Sequence, residues 1–106
     1  MTKVKVGKVS ELSPGKLMGL EIEGKMLVLA NVDGTYRAMD GLCSHMGAKL
    51  WEGKLIGKRV KCPKHGSEFD ITTGKALKGP WLPFGRARDM KIYKVTVEGE
   101  DIFVEI

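Results

Sequence analysis

Cys43-Ser44-His45-Met46-Gly47 and, further along, Cys62-Pro63-Lys64-His65-Gly66-Ser67 contain every cysteine and histidine of the 106-residue chain. Each stretch supplies one thiol and one imidazole. Thiolate is a soft donor and imidazole an intermediate one, so two of each suit either zinc or an iron–sulfur cluster. The order of the residues bears on that choice. Common zinc fingers take Cys with Cys and His with His from separate elements, whereas each stretch here offers a mixed pair. A two-iron cluster has a use for mixed pairs: two loops clamp it from either side, with both cysteines on one iron and both histidines on the other. The plain alternative, two small core cysteines with incidental histidines, accounts poorly for the tight pairing.

Outward from these pairs the chain reads as strands. Trp51 to Lys61 has the pattern of a hairpin turning at Gly57, which would set Cys43-x-His45 beside Cys62-x-x-His65. Apolar and polar residues alternate at Val4 and Val6 and again at Ile102, Val104 and Ile106. Ser13-Pro14-Gly15, Glu23-Gly24, Asp33-Gly34, Thr73-Gly74 and Glu98-Gly99-Glu100 punctuate the runs between, and no stretch of helical length keeps a 3.6-residue period. Short antiparallel strands are expected near 3–9, 17–22, 25–31, 35–39, 54–56, 59–62, 67–71, 75–77, 90–97 and 101–106. A third loop, Gly79-Pro80-Trp81-Leu82-Pro83-Phe84, has its path fixed by two prolines, with Trp81 and Phe84 as apolar cover.

The two Cys/His stretches resemble the halves of the Rieske 2Fe–2S motif. Phe69-Asp70-Ile71-Thr72-Thr73-Gly74-Lys75-Ala76-Leu77-Lys78-Gly79-Pro80 is similar to the segment that follows the second pair in soluble Rieske-type ferredoxins, and an archaeal member is the kind it most resembles. The resemblance implies one all-β domain over residues 1–106 with the Rieske fold. Antiparallel sheets from 1–40 and 82–106 would form a base, and a small cluster-binding subdomain would be inserted at about 41–81. It also implies one 2Fe–2S cluster per chain, with Cys43 and Cys62 in the thiolate positions and His45 and His65 in the imidazole positions, bound through Nδ1. Met46, Gly47, Lys64, Gly66, Ser67, Phe69 and Pro80 are expected around the cluster, Pro80 in the family's proline loop. Trp51, Trp81 and Phe84 are expected to be apolar packing rather than electron conduits.

Compared with the membrane-bound respiratory members, no anchor helix is expected, and the resemblance puts Ala48 and Lys64 at the positions of their loop-bridging disulfide. Phe69 stands where they carry a tyrosine hydroxyl, while Ser67 matches the serine that can bond a bridging sulfide or serve the turn. The implied function is that of a low-potential one-electron carrier and not an enzyme, passing electrons between a reductase and an acceptor such as an oxygenase. Its redox partners would meet it at the exposed histidine edge. A zinc-stabilised binding module with a basic surface is the alternative.

Composition limits the other possibilities. Hydrophobic residues are 42% and charged residues 29%, a globular balance, and the longest apolar run, Met26 to Ala30, is far too short to span a membrane. The start, Met1-Thr2-Lys3-Val4-Lys5, lacks the apolar stretch of a signal peptide, so a cytoplasmic monomer without membrane contact is expected. Net charge is +5, but the lysines are dispersed and aromatics are only 7%, which argues against nucleic acid. Two ferric ions, two sulfides and two thiolates balance to neutrality, so the oxidised holoprotein would keep that charge and suit an acidic partner face.

Overall fold

Alternation and turn chemistry produce eleven short strands in the computed structural model, which describes residues 2–43, 47–64, 66–78 and 88–106. They are β1 (Lys3–Lys8), β2 (Leu17–Ile22), β3 (Lys25–Val32), β4 (Thr35–Asp40), β5 (Lys54–Ile56), β6 (Arg59–Lys61), β7 (Glu68–Asp70), β8 (Ala76–Lys78), β9 (Ile92–Tyr93), β10 (Val95–Glu98) and β11 (Asp101–Glu105). The helical elements among the described residues are two 3₁₀ turns, Val9–Glu11 and Leu50–Glu52. All strand pairings are antiparallel and give three sheets, ordered β1-β11-β10, β2-β3-β4-β9 and β5-β6-β7-β8. The all-β expectation holds.

The run Met26 to Ala30 is the centre of this arrangement. A strand buried on both faces needs apolar residues at consecutive positions. In β3, Leu27 and Leu29 pack on one side with Leu12, Ala38, Tyr93, Ile102 and Val104. Val28 and Ala30 pack on the other with Met39, Leu50, Val60 and Phe69. β3 therefore joins two cores, one beneath the β1-β11-β10 sheet and one beneath the β5–β8 sheet.

That last sheet follows the period of two. Leu55, Val60, Phe69 and Ala76 lie opposite one another across its four strands and face the second core, with Phe69 and Val60 fully buried. Removing a phenylalanine side chain from water contributes about 2–3 kcal/mol. The neighbouring row, Ile56, Arg59 and Asp70, takes the opposite face.

One expected strand divides. The segment 90–97 is not continuous: Ile92–Tyr93 pairs with β4, whereas Val95–Glu98 pairs with β11 in another sheet. The crossing occurs at Lys94, whose carbonyl accepts from Glu105 N–H at 2.9 Å. Tyr93 holds the near side by donating its hydroxyl to Asp40 Oδ1 at 2.7 Å. The sequence carries the mark of this break, because the apolar phase slips from Met90 and Ile92 to Tyr93, Val95 and Val97.

Candidate metal centre

β4 ends at Asp40 and β6 at Lys61, and the two cysteines follow at the roots of the loops that leave these strands. Both roots are closed in the same way. Cys43 N–H donates to Ala48 O at 2.8 Å, and Cys62 N–H donates to Ser67 O at 2.7 Å, so each loop spans five residues from the cysteine to its acceptor. In the first, Gly47 N–H also returns to Cys43 O at 2.7 Å. Each loop turns back at a glycine four positions after its cysteine, Gly47 with φ 73° and Gly66 with φ 78°. An L side chain is disfavoured at such angles, which is why glycine stands at both places.

The cysteines are 3% exposed, unbridged, and belong to the same core as Ala48, Leu50 and Phe69. Ser67 is fully buried, and its hydroxyl has no hydrogen-bond partner among the described residues. A buried hydroxyl left unsatisfied costs about 1–3 kcal/mol. Two buried thiols at matching roots, with an orphan donor beside them, fit a group that carries sulfur acceptors and takes thiolate ligands. Lys64 is exposed and Gly66 buried. His45, Met46, His65, Pro80, Trp81 and Phe84 lie outside the described residues.

The sequence profile of the Rieske [2Fe-2S] domain matches residues 2–94. The chain belongs to the Rieske [2Fe-2S] domain family. It is 35% identical over 96 residues to the naphthalene 1,2-dioxygenase system ferredoxin component of Pseudomonas aeruginosa, covering 91% of this chain and 88% of that one. Among solved structures it is similar to the ferredoxin of carbazole 1,9a-dioxygenase from Nocardioides aromaticivorans IC177, with 28% identity, a TM-score of 0.87 and coverage of 98% and 97%. It also matches a chain in the complex of reduced oxygenase and oxidized ferredoxin in carbazole 1,9a-dioxygenase, at 27% identity, a TM-score of 0.86 and coverage of 96% and 91%.

This Rieske protein therefore uses one 2Fe–2S cluster and serves as a one-electron carrier to redox partner proteins rather than as a catalyst of bond chemistry. The zinc-module alternative gives way to the cluster.

Three features around the Rieske loops had no counterpart in the motif. Trp51, in the 3₁₀ turn after the first loop, lies so close over β2 that a Cβ on Gly19 would come within 2.6 Å of its indole. It packs against the core that holds both cysteines and ties the first loop to β2, in keeping with the packing role expected for it. Asp40, three residues before Cys43, is the acceptor for Tyr93. Burial first, and then the Asp40 acceptor and its charge, push the Tyr93 pKa above its ordinary value, so the phenol stays a neutral donor.

The third feature, Asp70, follows Phe69 and receives Thr72 N–H at 2.8 Å and Thr72 Oγ1–H at 2.6 Å on Oδ1. Lys58 Nζ stands 3.4 Å from its other oxygen. Burial alone raises this carboxyl's pKa, but the Thr72 donors and the Lys58 charge outweigh it and hold the group below the usual carboxylate value. The stabilisation is complete above the unfolded-state pKa and disappears as pH falls through the depressed folded value. Thr72 and Asp70 form an Asx-type turn, legible from Asp-x-Thr-Thr-Gly.

Proposed function

We propose that Cys43 and Cys62 hold one iron of the cluster and His45 and His65 the other. In the same reading the histidine edge passes the electron between a reductase and an oxygenase in the cytoplasm. The observation that carries this reading is the pair of buried, unbridged thiols at the roots of two like-built loops. When bound, the cluster would supply one-electron redox chemistry. The protein's own residues exclude water and hold the loops: Phe69 and Leu50 close the core side, and Trp51 and Asp40 anchor the first loop. Among the described residues no helix is long and apolar enough to cross a membrane.

Residues 41–81 act, in this reading, as the cluster-binding subdomain on a base formed by 1–40 and 82–106. Support comes from the β5–β8 sheet, whose strands all fall between Lys54 and Lys78. The oxygenase acceptor is supported by relatives that are ferredoxin components of dioxygenase systems. Mixing the dithionite-reduced protein with an oxidised aromatic-ring oxygenase tests it. One electron per chain is expected to leave, read from the recovery of the oxidised cluster's visible absorption. A reduced protein that stays reduced although its potential favours transfer contradicts the acceptor assignment.

The potential is expected toward the low end of the roughly −150 to +300 mV range of Rieske centres, because Phe69 offers no hydrogen bond to a cysteine sulfur. Phe69 is wholly buried in the core that contains both cysteines. Phe69→Tyr is expected to raise the midpoint potential by about 40 mV. That corresponds to a hydrogen bond strengthened by about 1 kcal/mol on reduction, with 59 mV per tenfold change for one electron. Ser67→Ala is expected to lower it by a similar amount. Protein-film voltammetry on both folded variants checks the pair, and an unchanged or lowered potential in Phe69→Tyr contradicts the explanation.

A further inference from the structure

Beside the second loop lies a hollow of about 310 Å³, walled by Lys54, Lys61, Cys62 and Glu52, with Gly53 and Gly66 contributing bare backbone. Its described lining comes from the second loop and from the stretch between Glu52 and Lys61 that leads into it, so it lies on the flank of the second loop. Lys54 and Lys61 are directly opposite each other across β5 and β6. Like charges in that register repel, and the arrangement is unfavourable without an anion to share.

Among the described residues no carboxylate forms an ion pair with either lysine. Ion pairs elsewhere join Lys3 to Glu98, Lys5 to Asp101, Lys58 to Asp70 and Lys94 to Glu105. Neither Lys54 nor Lys61 is ion-paired among the described residues. Glu68 stands opposite Lys61 on β7, yet its carboxylate meets Arg59 Nη1 at 2.9 Å. Glu52 on the rim offsets one of the two charges, and the hollow remains positive beside a cysteine of the centre.

We propose that this hollow receives a carboxylate side chain of the redox partner between Lys54 and Lys61, giving the partner a foothold on the cysteine flank in addition to the histidine edge. The proposal rests on the carrier reading above and adds the contact chemistry. A carboxylate there relieves the lysine pair, and its desolvation is limited because the hollow opens to solvent. The contact is expected to act on encounter rate and orientation more than on lasting affinity.

The test uses reduced holoprotein, ferricyanide as the oxidant and acetyl-tetraglutamate amide as the carboxylate probe, by stopped flow at low ionic strength. Ferricyanide is a trianion, and its encounter rate is expected to respond to the positive charge of the same region. The peptide is expected to slow oxidation of the wild type about threefold, the range of one or two exposed ion pairs, and to leave Lys54→Gln/Lys61→Gln unaffected. Lys8→Gln/Lys16→Gln, which removes the same charge from the base, is expected to respond as wild type. Equal slowing of all three proteins, or of none, overturns the proposal. If the double variant does not load a cluster, Lys54→Gln alone, at an exposed strand position, carries the comparison. Failure of the oxygenase experiment overturns the oxygenase-acceptor reading and leaves the peptide result standing, so the two failures are distinct.

Discussion

Cys62→Ser will yield a colourless protein with less than a tenth of the wild-type iron and acid-labile sulfide, and Cys43→Ser will do the same. Each thiol is buried at the root of a loop, and no other cysteine exists in the chain to take its place. A serine oxygen is a hard, weakly acidic donor that stays protonated at neutral pH and replaces a thiolate poorly at iron. The chain's two cysteines are unbridged, so no covalent bridge retains the loops once the metal is lost. His65→Ala is expected to lose or severely weaken the cluster as well. Colorimetric iron and sulfide assays with visible absorption check the set. Wild-type iron and spectrum in any of these variants contradicts the ligand assignment.

Gly74→Ala will destabilise the holoprotein by about 4 kcal/mol. Gly74 ends the Asx-type turn with φ 80°, and its N–H donates to Asp70 O at 2.6 Å. Its carbonyl accepts from Met90 N–H at 2.6 Å, and a Cβ placed on it would lie 1.9 Å from Met90 O. The left-handed conformation alone costs an L residue about 1–2 kcal/mol. Displacing backbone to make room adds about 1–3 kcal/mol, as overpacking does in a core. Gly99 separates the two terms, because it has φ 62° but nothing within 4 Å of its Cβ position. Gly99→Ala should therefore cost only the conformational part, about 1 kcal/mol. Denaturant titration followed by circular dichroism and cluster absorption measures both, and equal losses at the two positions contradict the close contact as the cause.

Local pattern made much of this fold legible. β5 and β6 run as Lys54–Ile56 and Arg59–Lys61 around Gly57, where the turn signal put them. The metal-binding character was legible because soft donors are few and their pairing is unusual. Long-range packing left weaker marks. The run Met26 to Ala30 excludes a membrane span at once, but its role as the strand shared by two cores depends on which sheets cover it. Glu68 and Asp70 flank Phe69 and look like the solvent face of an alternating strand, yet both are buried because Arg59 and Thr72 meet their carboxylates. The break at Lys94 is visible as a phase slip, although propensity favours an unbroken strand. Trp51 reads as generic apolar cover, since nothing local announces the glycine on β2 that lets its ring approach.

In the reading proposed above, two cysteines and two histidines of this chain hold a two-iron cluster that accepts one electron. Low-temperature EPR of the dithionite-reduced protein tests it most directly. Histidine ligation at one iron lowers the average g of the reduced centre, because imidazole is a weaker electron donor than thiolate and localises the added electron on the histidine-bound iron. A single rhombic signal is expected, integrating to about one spin per chain, with an average g below that of an all-cysteine two-iron cluster. No signal at all, or an average g like that of an all-cysteine two-iron cluster, would contradict it.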